Sequence, residues 1–507
     1  MKRFKRILII LITGMILLSA CDTQSLKDLN INPKTSDEMD NSYLFTYVLV
    51  TTGGRQYTAK RANLFLCSTY VQQFACLSTG DYGAGDKYMY NNTFCSAYFD
   101  YVYVEALKEL TQVINNMQDD PDAVNDLSMA RIWRTVIFHV MTDLYGEIPY
   151  SEAGMGYLEQ VYMPEYDTQQ SIYTGMLNEL EEAINAFDTS KSTWGDADVV
   201  FNSDISKWKK FGYSMMLRLG MRMSKVDPAT AASWVQKAVS GGVMTSNDDI
   251  ACIPRSESGS DEYNQNPNSH VFHEADWDEK ISSTLIDFMK NTNDPRMDIM
   301  FEKGSSNTEQ HGMPNGYDYS TIKTYEGLAS GESIDLEIYS DVNPLLVALD
   351  APQVMMTYAE VELMLAEAAE RGWGGVSDAE SHYKKGVRAA MQMLTIYDSS
   401  LAISDATVDA YLAANPYSSA SGLRLIGEQY WLATWMNFYE SYANWRRTGY
   451  PVLTPVNYTG NQSNGQIPRR IRYPSSEYSV NSTNLSAALA SQGDDTFTTR
   501  VWWDVEE

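Results

Sequence analysis

Apolar residues recur along this chain at intervals of three and four, the period of helices with one face turned to a core. Between Asn125 and Leu144, the residues Trp133, Val136, Ile137, Val140 and Leu144 share a face, and Gly146 and Pro149 stop the helix. Thr168 caps a second helix with Ile172, Met176, Leu180, Ile184 and Phe187 on its stripe. A third carries Ile205, Trp208, Met215, Leu219 and Met223. Asp227-Pro228 then supplies an N-cap with proline at the first helical position, and Gly241 closes a shorter helix.

The clearest pair comes later. Tyr358, Val361, Leu365 and Ala368 line a helix ended by Gly372, and Ser377-Asp378-Ala379-Glu380 reads as a capping box. Ala379, Tyr383, Val387, Ala390 and Leu394 follow at helical spacing, so the two helices pack antiparallel across a short turn. A last long helix bears Trp431, Trp435, Phe438, Tyr442 and Trp445, a stripe suited to a core. Helix pairs of this size predict an all-α, mainly helical fold with tetratricopeptide-like packing. The pairs are not tandem. Segments 40–125, 242–350 and 395–426 intervene as long irregular insertions, where binding is commonly placed.

The start of the chain changes the picture. Lys2, Arg3, Lys5 and Arg6 precede an apolar run from Ile7 to Leu18, and Leu18-Ser19-Ala20-Cys21 follows. This is a secretory signal, too short for a comfortable membrane span. Its end resembles the bacterial lipobox, which predicts a mature chain beginning at a lipidated Cys21 and held to a membrane by acyl chains. The organisation expected is signal peptide 1–20, lipidated tether 21–35, and a single domain over 36–507.

Charge and composition narrow the function. The net charge of −28 includes four positive charges ahead of Cys21, so the mature chain lies near −32 and repels nucleic acid. Cys67, Cys76, Cys95 and Cys252 are too few for a disulfide scaffold; three connectivities are open, and buried free thiols are the default. Neither GxGxxG, a Walker loop, nor GxSxG occurs. His139 and His382 fall in helical segments and read as structural. His270, His273, Glu274, Asp276 and Asp278 offer nitrogen and oxygen ligands without the HExxH spacing, so neither a metal nor a cofactor is expected, and a structural calcium has no clear motif behind it.

Several stretches resemble the SusD/RagB family of Bacteroidetes outer-membrane lipoproteins, specifically its SusD-like subgroup. Leu29-Asn30-Ile31-Asn32-Pro33 is similar to the family's start, and Thr142-Asp143-Leu144-Tyr145-Gly146-Glu147-Ile148-Pro149-Tyr150-Ser151-Glu152-Ala153 to its most recognisable run. Asn293-Asp294-Pro295-Arg296, Met356 to Glu362 and Ala366-Glu367-Ala368 fit shorter signatures. Trp445 to Pro451 and Ile467 to Pro474, with Glu477, Asn481 and Asn484 after them, match the C-terminal ones. The resemblance implies a helical SusD-like fold and a SusC-like TonB-dependent transporter as partner. It also implies that the lipoprotein delivers oligosaccharide or peptide to that transporter, without catalytic residues, at the outer membrane facing outward.

Arg446, Arg447, Arg469, Arg470 and Arg472 are expected to pair with acids or helix carbonyls rather than to bind ligand. Ligand contacts are expected from exposed side chains in the insertions, because sugar faces and peptide side chains pack on aromatic rings. The candidates are Gln73, Tyr82, Tyr88 and Tyr90 in one insertion, and Trp277, Tyr317 and Tyr319 in another. A surface all-helical glycoside hydrolase is the competing reading, for which facing carboxylates in a deep cleft would speak. A purely structural surface protein is a third.

Overall fold

The computed structural model describes residues 39–258, 263–274 and 278–506. Cys21, the tether, Asp276 and Trp277 lie outside the described residues. The chain divides into Met1–Tyr43 and a body spanning Leu44–Glu507. Helix accounts for 54% against 4% strand, so the class is all-α. No helix among the described residues is long and apolar enough to cross a membrane.

The longer helices are α1 (Asn41–Thr51), α2 (Asn92–Val102), α3 (Lys108–Met117), α4 (Val124–Tyr145), α5 (Gln169–Ala186), α6 (Ile205–Arg222) and α7 (Pro228–Gly241). They continue as α8 (Ser283–Thr292), α9 (Tyr358–Glu370), α10 (Ala379–Gln392), α11 (Asp405–Ala414), α12 (Gly422–Ala433), α13 (Phe438–Thr448) and α14 (Ser482–Gln492). Helices α4 with α5, α6 with α7, and α9 with α10 pack as sequence neighbours. Thr168 and Asp227 cap α5 and α7 as their positions predict. Close approach is enforced by Gly386, where a Cβ would stand 2.7 Å from Leu363 Cγ.

Three expectations are corrected. Segments 40–125 and 395–426 are largely helical, the second holding α11 and the start of α12; the first includes a ten-residue π-helix, Ala59–Ser68, buried except for Arg61. Its wider turn breaks the usual apolar spacing, and buried Lys60, Asn63 and Ser68 hide what remains. The long aromatic helix is two helices, α12 and α13, parted where Met436 takes a positive φ of 69°. The stripe still works as core: Trp431, Phe438, Tyr442 and Trp445 are buried and Trp435 is partly so. The cap of α10 is Asp378, which accepts the Ser381 N–H, rather than Ser377. A true capping box, Thr357 with Glu360, opens α9.

The middle of the chain carries short ladders: β1 (Phe74–Ala75) with β3 (Lys280–Ile281), β2 (Ala251–Ile253) with β6 (Gln353–Met356), and β4 (Phe301–Glu302) with β5 (Asp341–Val342), all antiparallel. Among the described residues the four cysteines, Cys67, Cys76, Cys95 and Cys252, are free thiols, the first three buried and Cys252 half-buried.

The helical interior encloses charge. Arg218 donates to Glu360 at 2.6 Å, Arg222 donates to Glu440 at 2.6 Å, and Arg222 lies 3.2 Å from Asp143. The Tyr430 hydroxyl donates to Glu440 at 2.8 Å, and Trp503 Nε1 donates to Asp143 at 2.8 Å. Burial pushes Glu360 up, while the two arginines hold Glu440 down at about 2 against its own burial. Burial and Arg218 push His139 down to about 3.

Candidate functional site

The loop face is assembled around a buried ion pair. Lys87 and Asp86 sit on the segment after β1, both fully buried, with Nζ donating to Asp86 Oδ2 at 3.1 Å and to the Cys76 carbonyl at 2.5 Å. Asp86 in turn accepts Asn315 Nδ2 at 2.6 Å and the Gly316 N–H at 2.8 Å. Gly316 has φ of 81°, and a Cβ there would meet Val456 Cγ1 at 2.5 Å, so no other residue fits. Tyr88 completes the clasp: its hydroxyl accepts the Val456 N–H at 3.2 Å and its carbonyl accepts the Gln462 N–H at 2.9 Å. Three segments distant in sequence, 76–91, 313–326 and 454–462, are thereby joined.

Aromatic rings stand on this platform. Tyr317 and Tyr325 lie 5.0 Å apart between centroids and border a pocket of ≈ 440 Å³. Gln72, Thr284, Asn315 and Asn457 also line it, giving amide and hydroxyl groups beside the rings. Tyr319, 41% exposed, donates to Asp278 at 3.3 Å, and burial together with Asp278 raises its hydroxyl to about 12. Neighbouring Asp318 caps its own turn through Ser320 and Thr321 and accepts the Tyr458 hydroxyl at 2.8 Å. Tyr82, also exposed, packs on Phe65 at 5.1 Å with Lys60 Nζ 4.8 Å above its ring.

The candidates therefore separate. Tyr317 and Tyr319 share one turn of the face, and Tyr82 is exposed beside Lys60. Gln73 and Tyr88 do not meet the expected exposure, because both are buried; Gln73 donates to the Trp431 carbonyl at 2.6 Å, and Tyr88 holds the loops. Tyr90 is half-buried beneath Arg472, whose guanidinium lies 4.2 Å from its ring. Trp277 lies outside the described residues. Sequence reading missed Tyr325, Tyr458, Asn315 and Asn457. Tyr325 sits eight residues beyond Tyr317 in the same insertion, which was a usable signal; Asn315 is visible only once Asp86 is placed.

The acid-rich histidine segment is used otherwise. His273 Nε2 meets the Val347 carbonyl at 2.9 Å, Glu274 pairs with Lys60, and Asp278 takes Tyr319. Among the described residues no three histidine, cysteine or carboxylate groups converge on a point that would hold a metal.

The arginine motifs are structural. Arg447 meets Glu367 with two bonds of 2.6 Å and Arg470 meets Asp495 at 2.6 Å. Arg446 donates to the carbonyls of Asp143 and Arg469. Arg469 reaches Asp504 at 2.8 Å, and Arg472 shares Asp495.

Over residues 33–474 the sequence matches the SusD-like family described as "Starch-binding associating with outer membrane". The chain belongs to the SusD-like family. Among solved structures, a chitin-binding protein shares 31% identity at a TM-score of 0.82, over 92% of this chain and all of that one. A SusD-like protein of Bacteroidetes AC2a shares 25% at 0.81 over 92% of this chain and 100% of its own. A SusD homologue from Bacteroides thetaiotaomicron shares 26% at 0.76, with coverage of 93% and 100%. Among curated proteins none matches. This SusD-like chain thus has the helical fold of its family, with the tyrosine face carried on its loops.

Proposed function

We propose that the protein captures glycan on the tyrosine face and passes it to a SusC-like TonB-dependent transporter, without cleaving it. The observation that carries this reading is the set of exposed rings: Tyr319 beside the Asp278 carboxylate, Tyr325 beside the amides of the pocket, and Tyr82 packed on Phe65 beneath Lys60. Flat rings cover the apolar faces of sugars, and the polar groups meet hydroxyls. The pocket of ≈ 440 Å³ falls within the size range of ligand sites. Family membership and the chitin-binding relative favour oligosaccharide over peptide, with N-acetylglucosamine oligomers as the first choice. A lipid on Cys21 would hold the protein at the outer membrane, facing outward.

The test is calorimetric titration of the purified lipoprotein with chitin oligosaccharides, malto-oligosaccharides and a mixed oligopeptide pool, followed by chromatography of the ligand. Saturable binding of a glycan that emerges intact is expected. Peptide binding without glycan binding, or reproducible cleavage, would overturn the reading. Co-purification from the membrane with a TonB-dependent transporter tests the partner. Cys21→Ser is expected to release the protein from the membrane fraction; unchanged fractionation and lipid labelling would sink the anchor.

A further inference from the structure

A second hollow, unused by the tyrosine face, lies where the turn after α4 meets the end of α2 and the residues before α14. Its volume is ≈ 550 Å³. Phe99, Tyr103, Val104, Val161, Tyr162 and Val480 give it apolar walls, and Asp100, Glu152 and Glu477 give it three carboxylates. Its lining contains neither lysine, arginine nor histidine.

The loop that forms one wall is fixed from both sides. Asn481 Nδ2 donates to the Pro164 carbonyl at 2.9 Å, and Asn484 Nδ2 donates to the Met163 carbonyl at 3.0 Å. Glu152 accepts the Glu165 N–H at 2.8 Å, and Glu477 accepts the Tyr166 hydroxyl at 2.7 Å. Despite this anchoring, Tyr157 is 85% exposed, Tyr162 72% and Met163 61%, and Val104 and Val480 are also open to solvent. An apolar set displayed on an anchored backbone is a surface made for contact, not a frayed loop. Tyr157 and Met163 belong to the same loop but not to the lining of the hollow, so the exposed apolar set is larger than the hollow itself. Asp100 stays exposed at the edge of the hollow, where partial desolvation raises its carboxyl and a neighbouring cation would favour its charged form.

We propose that this hollow and its apolar rim dock a partner protein through a segment that presents an arginine or lysine between apolar side chains. The carboxylates take the charge and the walls take the neighbours. This makes no use of the tyrosine face, so glycan capture can fail while the docking site stands.

The experiment places benzoylphenylalanine at Tyr162 of the full-length chain in the cells that produce it, with Leu423, an exposed residue of α12, as the control position. The cross-linked peptide is then sequenced. An adduct at 162 and not at 423 is expected, with a lysine or arginine among apolar residues in the partner peptide. Glu152→Gln with Glu477→Gln is expected to lower the adduct about tenfold with melting unchanged, since each amide still offers an acceptor. Asp100→Asn serves if that double variant does not fold. The proposal is overturned by no adduct, equal adducts at both positions, or a partner peptide without a basic residue. It is also overturned by cross-links only to lipid or another copy of the chain, or by yields that ignore the charge variants.

Discussion

The helical interior and the tyrosine-bearing loops both bury charge, and they use it differently. Around Arg218 and Arg222, two guanidiniums and three carboxylates from four helices, α4, α6, α9 and α13, pair with one another and with Tyr430 and Trp503 inside the core. Around Asp86, a single ion pair reaches outward through Asn315 and Gly316 to hold loops whose rings stay open to water. Polar groups that are satisfied by their neighbours specify a fold. Polar groups that pin a backbone while leaving aromatic faces uncovered prepare a surface for something else.

The comparison breaks hardest in the interior. Arg222→Ala leaves Glu440 and Asp143 short of a counter-charge, and removing one partner of a buried pair costs about 3–5 kcal/mol. Urea unfolding is expected to show that loss, with ligand affinity unchanged in the protein that remains folded; a loss below about 1 kcal/mol would mean the network contributes little to stability.

Tyr319→Ala and Tyr325→Ala are expected to behave in the opposite way. Melting should move by no more than about 0.5 kcal/mol equivalent, while glycan affinity falls by about 2 kcal/mol at whichever ring contacts the sugar. Full affinity in both variants would place the site elsewhere.

Acid should act on the interior first. His139 titrates near pH 6.5 when unfolded and at about 3 when folded, so between those values the unfolded chain binds the extra proton. The contribution of His139 to stability is therefore expected to fall as pH drops, by about 2 kcal/mol from pH 6.5 to 5, while Glu279, raised to about 8 by burial, and Asp126, raised to about 7, contribute in the opposite sense over that range. Glu367, held down at about 2 by Arg447 against its burial, adds a further loss below pH 4.5. His139→Gln should remove the His139 loss, so that stability at pH 5 relative to pH 6.5 rises by about 2 kcal/mol over the parent; an unchanged pH dependence would clear His139.

The smallest effect expected is that of Tyr88→Phe. It removes the acceptor for the Val456 N–H, worth about 1 kcal/mol, and loosens one loop of the pocket. A measurable loss of affinity with only this small loss of stability would tie the clasp to binding.

The helices were legible because their code is local. Thr168, the Asp227-Pro228 pair and the stripes of α4 to α6 are written in consecutive turns. The structural role expected of Arg447 and Arg470 was legible too, because a guanidinium in an acid-rich chain finds a carboxylate. The π-helix was hidden by its wider turn. The Met436 break was hidden because it preserves aromatic spacing on both sides. Tyr88 and Tyr319 looked alike as tyrosines in polar stretches. What separates them is contact with residues more than 300 positions away for one, and solvent for the other.

The Asp86 clasp also bears on redesign. Residues 76–91, 313–326 and 454–462 share one fastening, so they behave as a cassette. Anyone grafting a new recognition surface onto this scaffold would have to move all three together, keeping Asp86, Lys87, Tyr88 and Gly316. A graft of one segment alone would arrive without its latch.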